Sequence, residues 1–235
     1  PSVSLGKFDG AVTMDSTAAR ALKATSFDGG GKNATAVYTE SLKSVSVENC
    51  SFTGISAGED GKGYALRCGN TSGDVTIKNT TFAGNQTASL IEIGHLDGKT
   101  YLYNNTIAGN GGTECTLSLG DAVMKGNIFS GNVASKLSTT SLENAYNVFS
   151  STDEFASDLD VKLPVEQLPL YLDGTYDANT GIFDAHLNAN GGFVKTVAIL
   201  KDSFPDHSVA RFPIENTTVD HDARGVVRLD LLCYG

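Results

Sequence analysis

Two carboxylates and an imidazole fall within the short stretch "EIGHLDG", as Glu92, His95 and Asp97. Carboxyl groups held about 5 to 10 Å apart can serve glycoside hydrolysis as acid and base. Glu114 and Asp121, on neighbouring turns of the chain, could join such a cluster. The plainer reading pairs Glu92 with Arg67 and makes His95 to Gly98 a polar turn, and no second motif points to catalysis. The sequence leaves the enzymatic question open and leans against it.

A second stretch, "DGTYDANTGIFD", carries Asp173, Asp177, Asn179 and Asp184. These oxygen donors suit calcium, the one cofactor the sequence suggests, but their spacing does not follow an EF-hand loop. Asp-Gly and Asn-Thr-Gly are also ordinary turn formers. A third pattern is a recurring outward position held by Lys23, Glu48, Lys78, Tyr103 and Lys125, with Tyr101 two residues before Tyr103. On one strand face, Tyr101, Tyr103, Lys78 and Lys125 could bind a glycan by ring stacking and hydrogen bonds. The alternative is a solvated sheet face of cross-strand pairs.

The elements that would position these groups follow from a repeat. Aligning "LKATSFDGG", "VSVENCSFTGI", "VTIKNTTFAGN", "YLYNNTIAGN", "VMKGNIFSGN" and the degenerate "NAYNVFSST" gives the anchors Phe27, Phe52, Phe82, Ile107, Phe129 and Phe149. A period of roughly 20 to 30 residues is one supersecondary unit. Five positions before the first five anchors stand Leu22, Val47, Ile77, Leu102 and Met124. Side chains alternate along a strand, so an odd offset turns both residues inward only if the chain bends between them. Asn49, Asn79, Asn104 and Gly126, three residues before their anchors, are the residue types that tolerate positive φ. Gly29, Gly54, Gly84, Gly109 and Gly131, two residues after, mark the next corner. Return segments "ALRCG", "IEIG" and "LSLG" put Leu66 and Cys68, Ile91 and Ile93, and Leu117 and Leu119 inward. Arg67, Glu92 and Ser118 then stack outward on successive units.

Composition agrees with short strands and frequent turns: 235 residues with 26 Gly, 5 Pro and no Trp. A net charge of -10 without a Lys/Arg run disfavours nucleic acid. No window approaches the roughly 18 to 20 apolar residues of a membrane span, and the N-terminus has no signal-peptide pattern, so the chain reads as soluble and as either processed or cut from something longer. Cys50, Cys68, Cys115 and Cys233 show no zinc spacing, and both disulfides and buried free thiols stay open. The N-x-S/T sequons at Asn33, Asn49, Asn70, Asn79, Asn85, Asn104 and Asn216 read as by-products of turn composition.

The repeat continues into "NIFSGN", Asn127 to Asn132, then Tyr146-Asn147, "NGGFVKT" from Asn190 to Thr196, Asp202-Ser203, and "DHDARGVVR" from Asp220 to Arg228. In this order the motifs resemble the right-handed parallel β-helix of the pectate-lyase-like superfamily, and more narrowly bacterial secreted choice-of-anchor Q domain proteins. That family usually closes on Gly-Ala-Tyr-Glu, whereas this chain closes on "LLCYG". A looser likeness is to the F-x-x-N repeats of chlamydial polymorphic outer-membrane passengers. Both resemblances imply an extracellular or cell-surface location.

The expected fold is therefore all-β, a parallel β-helix (solenoid) of about six coils over residues 1–152. Residues 153–235 would form the C-terminal coils and cap of the same domain, since a solenoid end otherwise leaves bare strand edges. Asp222, Arg224 and Arg228 read as a structural Arg fork in that cap. The expected role is an adhesin-like or carbohydrate-binding surface, its partner a glycan or a cell-surface protein. The alternatives are a polysaccharide-degrading lyase or glycoside hydrolase of the same fold, and a structural stalk.

Overall fold

The computed structural model describes residues 12–15, 20–23, 25–29, 35–40, 44–57, 63–95, 97–133, 136–150, 155–191, 194–198 and 200. Among them the chain is almost entirely β, with one short 3-10 helix at Val165–Leu170. Asp202, Ser203, Asp222, Arg224, Arg228, Cys233, Asn33 and Asn216 lie outside the described residues.

Each sequence repeat contributes strands to two large parallel sheets. The ten-stranded sheet has two wings joined by the long strand Gly111–Lys125. One wing holds Arg20–Lys23, Val45–Glu48, Val75–Lys78 and Thr100–Tyr103. The other holds Val12–Asp15, Thr35–Glu40, Tyr64–Thr71 and Gln86–His95. Leu137–Ala145 pairs with the joining strand. The seven-stranded sheet runs from Ser26–Asp28 through Ser51–Thr53, Thr81–Ala83, Thr106–Ala108, Ile128–Ser130 and Val148–Ser150 to Val161–Leu163.

The six anchors stand in one register: Phe27 opposite Phe52, then Phe82, Ile107, Phe129 and Phe149. All six are buried. Phe27, Phe52 and Phe82 stack with centroids 4.6 and 4.7 Å apart and planes within 12° and 4°. Ile107 ends that stack, and Phe129, Phe149 and Phe155 meet edge-on at 5.0 to 5.8 Å. Leu22, Val47, Ile77, Leu102 and Met124 form the matching inward row of the first wing.

The bend that reconciles an offset of five with two inward side chains is a single left-handed residue. Asn49, Asn79, Asn104 and Gly126 have φ of 54°, 49°, 52° and 69°, and Tyr146 holds the equivalent corner at 60°. Gly54, Gly84, Gly109 and Gly131 make the second corner at φ of 63° to 68°. Gly29, at the equivalent position, differs from these four in that its φ is not left-handed. It is glycine for closeness: a Cβ there would lie 2.7 Å from the Gly54 carbonyl oxygen.

A second set of asparagines, two before and three after the anchors, points into the molecule and ties successive repeats together. Thr80 N–H donates to Asn105 Oδ1 at 2.9 Å, and Asn105 N–H and Nδ2 donate to Asn127 Oδ1 at 2.9 and 3.0 Å. Asn127 donates in the same way to Asn147. The parallel ladder at the other corner runs from Asn85 to Asn110 to Asn132. Each buried amide thus satisfies backbone donors that a corner leaves without a sheet partner. Asn79, Asn85 and Asn104 are also buried, in keeping with turn chemistry at these sequons.

The first ladder ends on Asp160, a carboxylate that only accepts. Its Oδ1 receives Asn147 N–H and Nδ2 at 2.8 and 3.0 Å. Its Oδ2 receives Asn144 Nδ2, Ser157 N–H and Ser157 Oγ at 2.7 to 2.8 Å. Phe155 packs on the same end of the core. The described residues between Val165 and Val197 turn sideways and cover the outer face of the seven-stranded sheet. There Leu168, Leu172, Phe183, Ala185 and Val197 pack on Ala83, Ala108, Ile128 and Val148. Gly109 permits this approach, since a Cβ would lie 2.5 Å from the Phe183 carbonyl oxygen.

Cys50 and Cys68 are free thiols in the core. Burial pushes the Cys50 thiol up to about 11 and that of Cys68 up to about 12. Neither is expected to react with iodoacetamide at pH 8 until the chain unfolds, which peptide mass mapping would read position by position. The unfolded chain ionises these thiols near pH 8.5 while the folded chain keeps them protonated. Their stability contribution is therefore complete below about pH 8.5 and is lost as pH rises towards the folded values. Urea melts at pH 8 and 10 should show the fall, and Cys68→Ala should make it shallower. The side chain of Cys115 lies outside the described residues.

Candidate functional site

The first wing presents the outward row that the repeat predicts: Lys23, Glu48, Lys78, Tyr103 and Lys125 occupy successive strands in register. Glu48 sits between two ammonium groups, 3.1 Å from Lys23 Nζ and 3.2 Å from Lys78 Nζ. Partial burial pushes its carboxyl up, but the hydrogen bonds and charges of Lys23 and Lys78 outweigh this and hold it below the ordinary glutamate value. The triad therefore helps hold the strands near neutrality and releases them in acid, as pH falls through that lowered value. Lys125 pairs with Glu143 on the next strand. Lys78 and Lys125, candidate ligand contacts in the sequence, both have carboxylate partners.

The two tyrosines are adjacent and half-buried. Tyr101 lies between Thr76 and Val123 in the neighbouring row, and its ring centroid is 5.9 Å from that of Tyr103 at a tilt of 36°. Burial, then the neighbouring Tyr101 and Glu143, pushes the Tyr103 phenol above its ordinary value. It stays a neutral hydroxyl through the physiological range. The pair forms a tilted aromatic step on a face fixed by in-register parallel strands, with the Glu48 ion pairs on one side and Lys125–Glu143 on the other.

The other wing carries Tyr38, Arg67, Glu92, Ser118 and Ser138 in one cross-strand row. Arg67 Nε donates to Glu92 Oε1 at 2.7 Å, the pairing expected from the return segments. Its guanidinium carbon lies 4.9 Å from the Tyr64 ring centroid and 5.6 Å from that of Tyr38. Partial burial works against the cation, and the hydrogen bond and charge of Glu92 prevail, so Arg67 titrates above its ordinary value. Sequence reasoning missed Tyr38 and Tyr64. Extending the return-segment alignment back to "TAVYTE" and "YALRCG" brings both tyrosines beside Arg67.

The acidic residues of the hydrolase reading go to separate partners. Glu92 is tied to Arg67, whereas Asp121 lies 3.6 Å from Lys99 Nζ and accepts from Ser141 Oγ. Asp97 stands exposed in a turn, its N–H donating to the Thr71 carbonyl at 3.4 Å. His95 pairs with Thr71 through the backbone; its side chain, like that of Glu114, lies outside the described residues.

The calcium reading falls on the hairpin Gly174–Asp177 and Ile182–Ala185. Asp177 folds onto its own turn, accepting from Asn179 N–H at 2.9 Å and Thr180 Oγ1 at 3.0 Å. These contacts, the Asn179 N–H first, hold its carboxyl below the ordinary value. Asp173 accepts from Asn188 Nδ2 at 2.7 Å and lies 3.1 Å from His186 Nδ1. Asp184 stands opposite Thr175 across the hairpin. Among the described residues no three His, Cys, Asp or Glu side chains come together as a metal site.

Fold and surface define a protein of stacked parallel β-repeats with one sheet face covered by its own chain and aromatic steps on the others. No family model, curated protein or solved structure matches it. Among the described residues no helix is long and apolar enough to cross a membrane.

Proposed function

We propose that the chain winds as a right-handed parallel β-helix of about six coils, belongs to the cell surface or exterior, and binds carbohydrate without transforming it. The Tyr101–Tyr103 step carries this reading. Tyrosine rings offer an apolar face to the C–H side of a sugar and a hydroxyl to its oxygens, at low entropic cost because strands already hold them. The in-register anchors and repeated corners support the winding, and the pairing of Glu92 with Arg67 counts against a hydrolase carboxylate dyad.

The test is a carbohydrate array followed by titration calorimetry with a scoring oligosaccharide. Tyr101→Ala and Tyr103→Ala are each expected to weaken binding about tenfold, the scale of a lost ring contact, while thermal melting stays near that of the parent. Unchanged affinity in both variants would remove the proposed site, and an array with no binder would favour the structural stalk.

A further inference from the structure

Arg67 is held on three sides and open on the fourth. Tyr64 lies three residues earlier on its own strand, Tyr38 stands on the preceding strand, and Glu92 on the following one takes Nε. Among the described residues no other group hydrogen-bonds to the guanidinium, and its side chain is 42 % exposed. The two terminal nitrogens therefore keep the end-on fork that matches a carboxylate. Clamping by two rings and an ion pair means little side-chain freedom remains to be lost on binding.

Neighbours of this guanidinium limit what it can receive. Glu92 stands one strand away, about 4.8 Å along the stack, and opposes a second anionic group beside the first. Next in the row come Ser118 and Ser138, neutral hydroxyls suited to sugar oxygens. The chain's net charge of -10 also repels a polyanion. We infer that the Tyr38–Tyr64–Arg67–Glu92 face is a subsite for an otherwise neutral glycan bearing one carboxylate, with the acid on the Arg67 fork and hydroxyls on Glu92, Ser118 and Ser138. This deepens the carbohydrate reading and rests on it, but it uses a different wing from Tyr101 and Tyr103.

Titration of the whole chain with 3′-sialyllactose, lactose and a glucuronic acid tetramer tests it. Sialyllactose should bind at least about tenfold more tightly than lactose, as a charge-assisted fork allows, and more tightly than the tetramer. Arg67→Lys, which keeps the charge but loses the fork, should bring the sialyllactose to lactose ratio close to one. Glu92→Gln should selectively improve binding of the tetramer. Tyr101→Ala, on the other wing, should weaken lactose while leaving sialyllactose binding at the Arg67 face unchanged. The inference is overturned by a wild-type ratio near one, by Arg67→Lys keeping the preference, or by the tetramer binding best. Lactose binding that Tyr101→Ala weakens, with no acid preference, would overturn the subsite and leave the tyrosine site standing. Acid preference with Tyr101→Ala and Tyr103→Ala inert would do the reverse.

Discussion

Asn127→Ala is expected to lower the unfolding free energy by about 4 kcal/mol, a large share of the roughly 5 to 15 kcal/mol that holds a domain folded. Asn127 is fully buried, and its oxygen accepts from both N–H and Nδ2 of Asn105. Its own Nδ2 donates to the Leu102 carbonyl at 2.8 Å and to Asn147 Oδ1 at 2.9 Å. Alanine leaves the two Asn105 donors and the Leu102 carbonyl facing a dry gap, each costing about 1 to 3 kcal/mol if nothing replaces the partner, while Asn147 Oδ1 keeps the backbone N–H of residue 127. Partial relaxation and entry of a water would bring the sum down to the stated value. Urea unfolding measures it. Asn70→Ala, at an exposed sequon in the strand Tyr64–Thr71, should cost less than about 0.5 kcal/mol.

Asp160→Asn is expected to cost about 3 kcal/mol although it changes almost no volume. The carboxylate accepts two hydrogen bonds on Oδ1 and three on Oδ2. An amide placed either way aims its NH2 at N–H donors: Asn147 N and Nδ2 on one side, or Ser157 N and Asn144 Nδ2 on the other. A chain of asparagines that each donate onwards needs a final group with no proton of its own, which aspartate supplies and asparagine does not. Hydrogen exchange should localise the damage, with protection falling first at Asn147 and Val148. A substitution that leaves both unfolding and exchange unchanged would show that Asp160 does not terminate the ladder.

The sequence revealed the period and the inward rows because apolar side chains recur at fixed offsets, and Phe82 with Ile77 already demanded a bend at Asn79. The ladder residues Asn105, Asn127 and Asn147 were less legible. In a single unit an asparagine beside a turn looks solvated, and only stacking of units shows that its partner is the same residue one repeat on. Tyr146 could not be read as a corner, since a bulky aromatic at positive φ is disfavoured locally and is held there by its surroundings. The sideways course of the described residues between Val165 and Val197 was also hidden. It depends on Ala83, Ala108 and Gly109 making a low face, and small residues carry little signal in a strand pattern. At the site, Tyr101 and Tyr103 were legible as an alternating pair, whereas the carboxylate partners of Lys78 and Lys125 emerge only from cross-strand register.

The most direct test of the tyrosine face is backbone NMR shift mapping of the 15N-labelled chain with the best neutral oligosaccharide from the array. The expected result is a contiguous set of shifts at Thr76, Lys78, Tyr101, Tyr103, Val123 and Lys125, with the covered strands Thr81–Ala83 and Thr106–Ala108 unmoved. Shifts confined to the Gly174–Asp177 and Ile182–Ala185 hairpin, or spread without relation to the tyrosine step, would contradict the account.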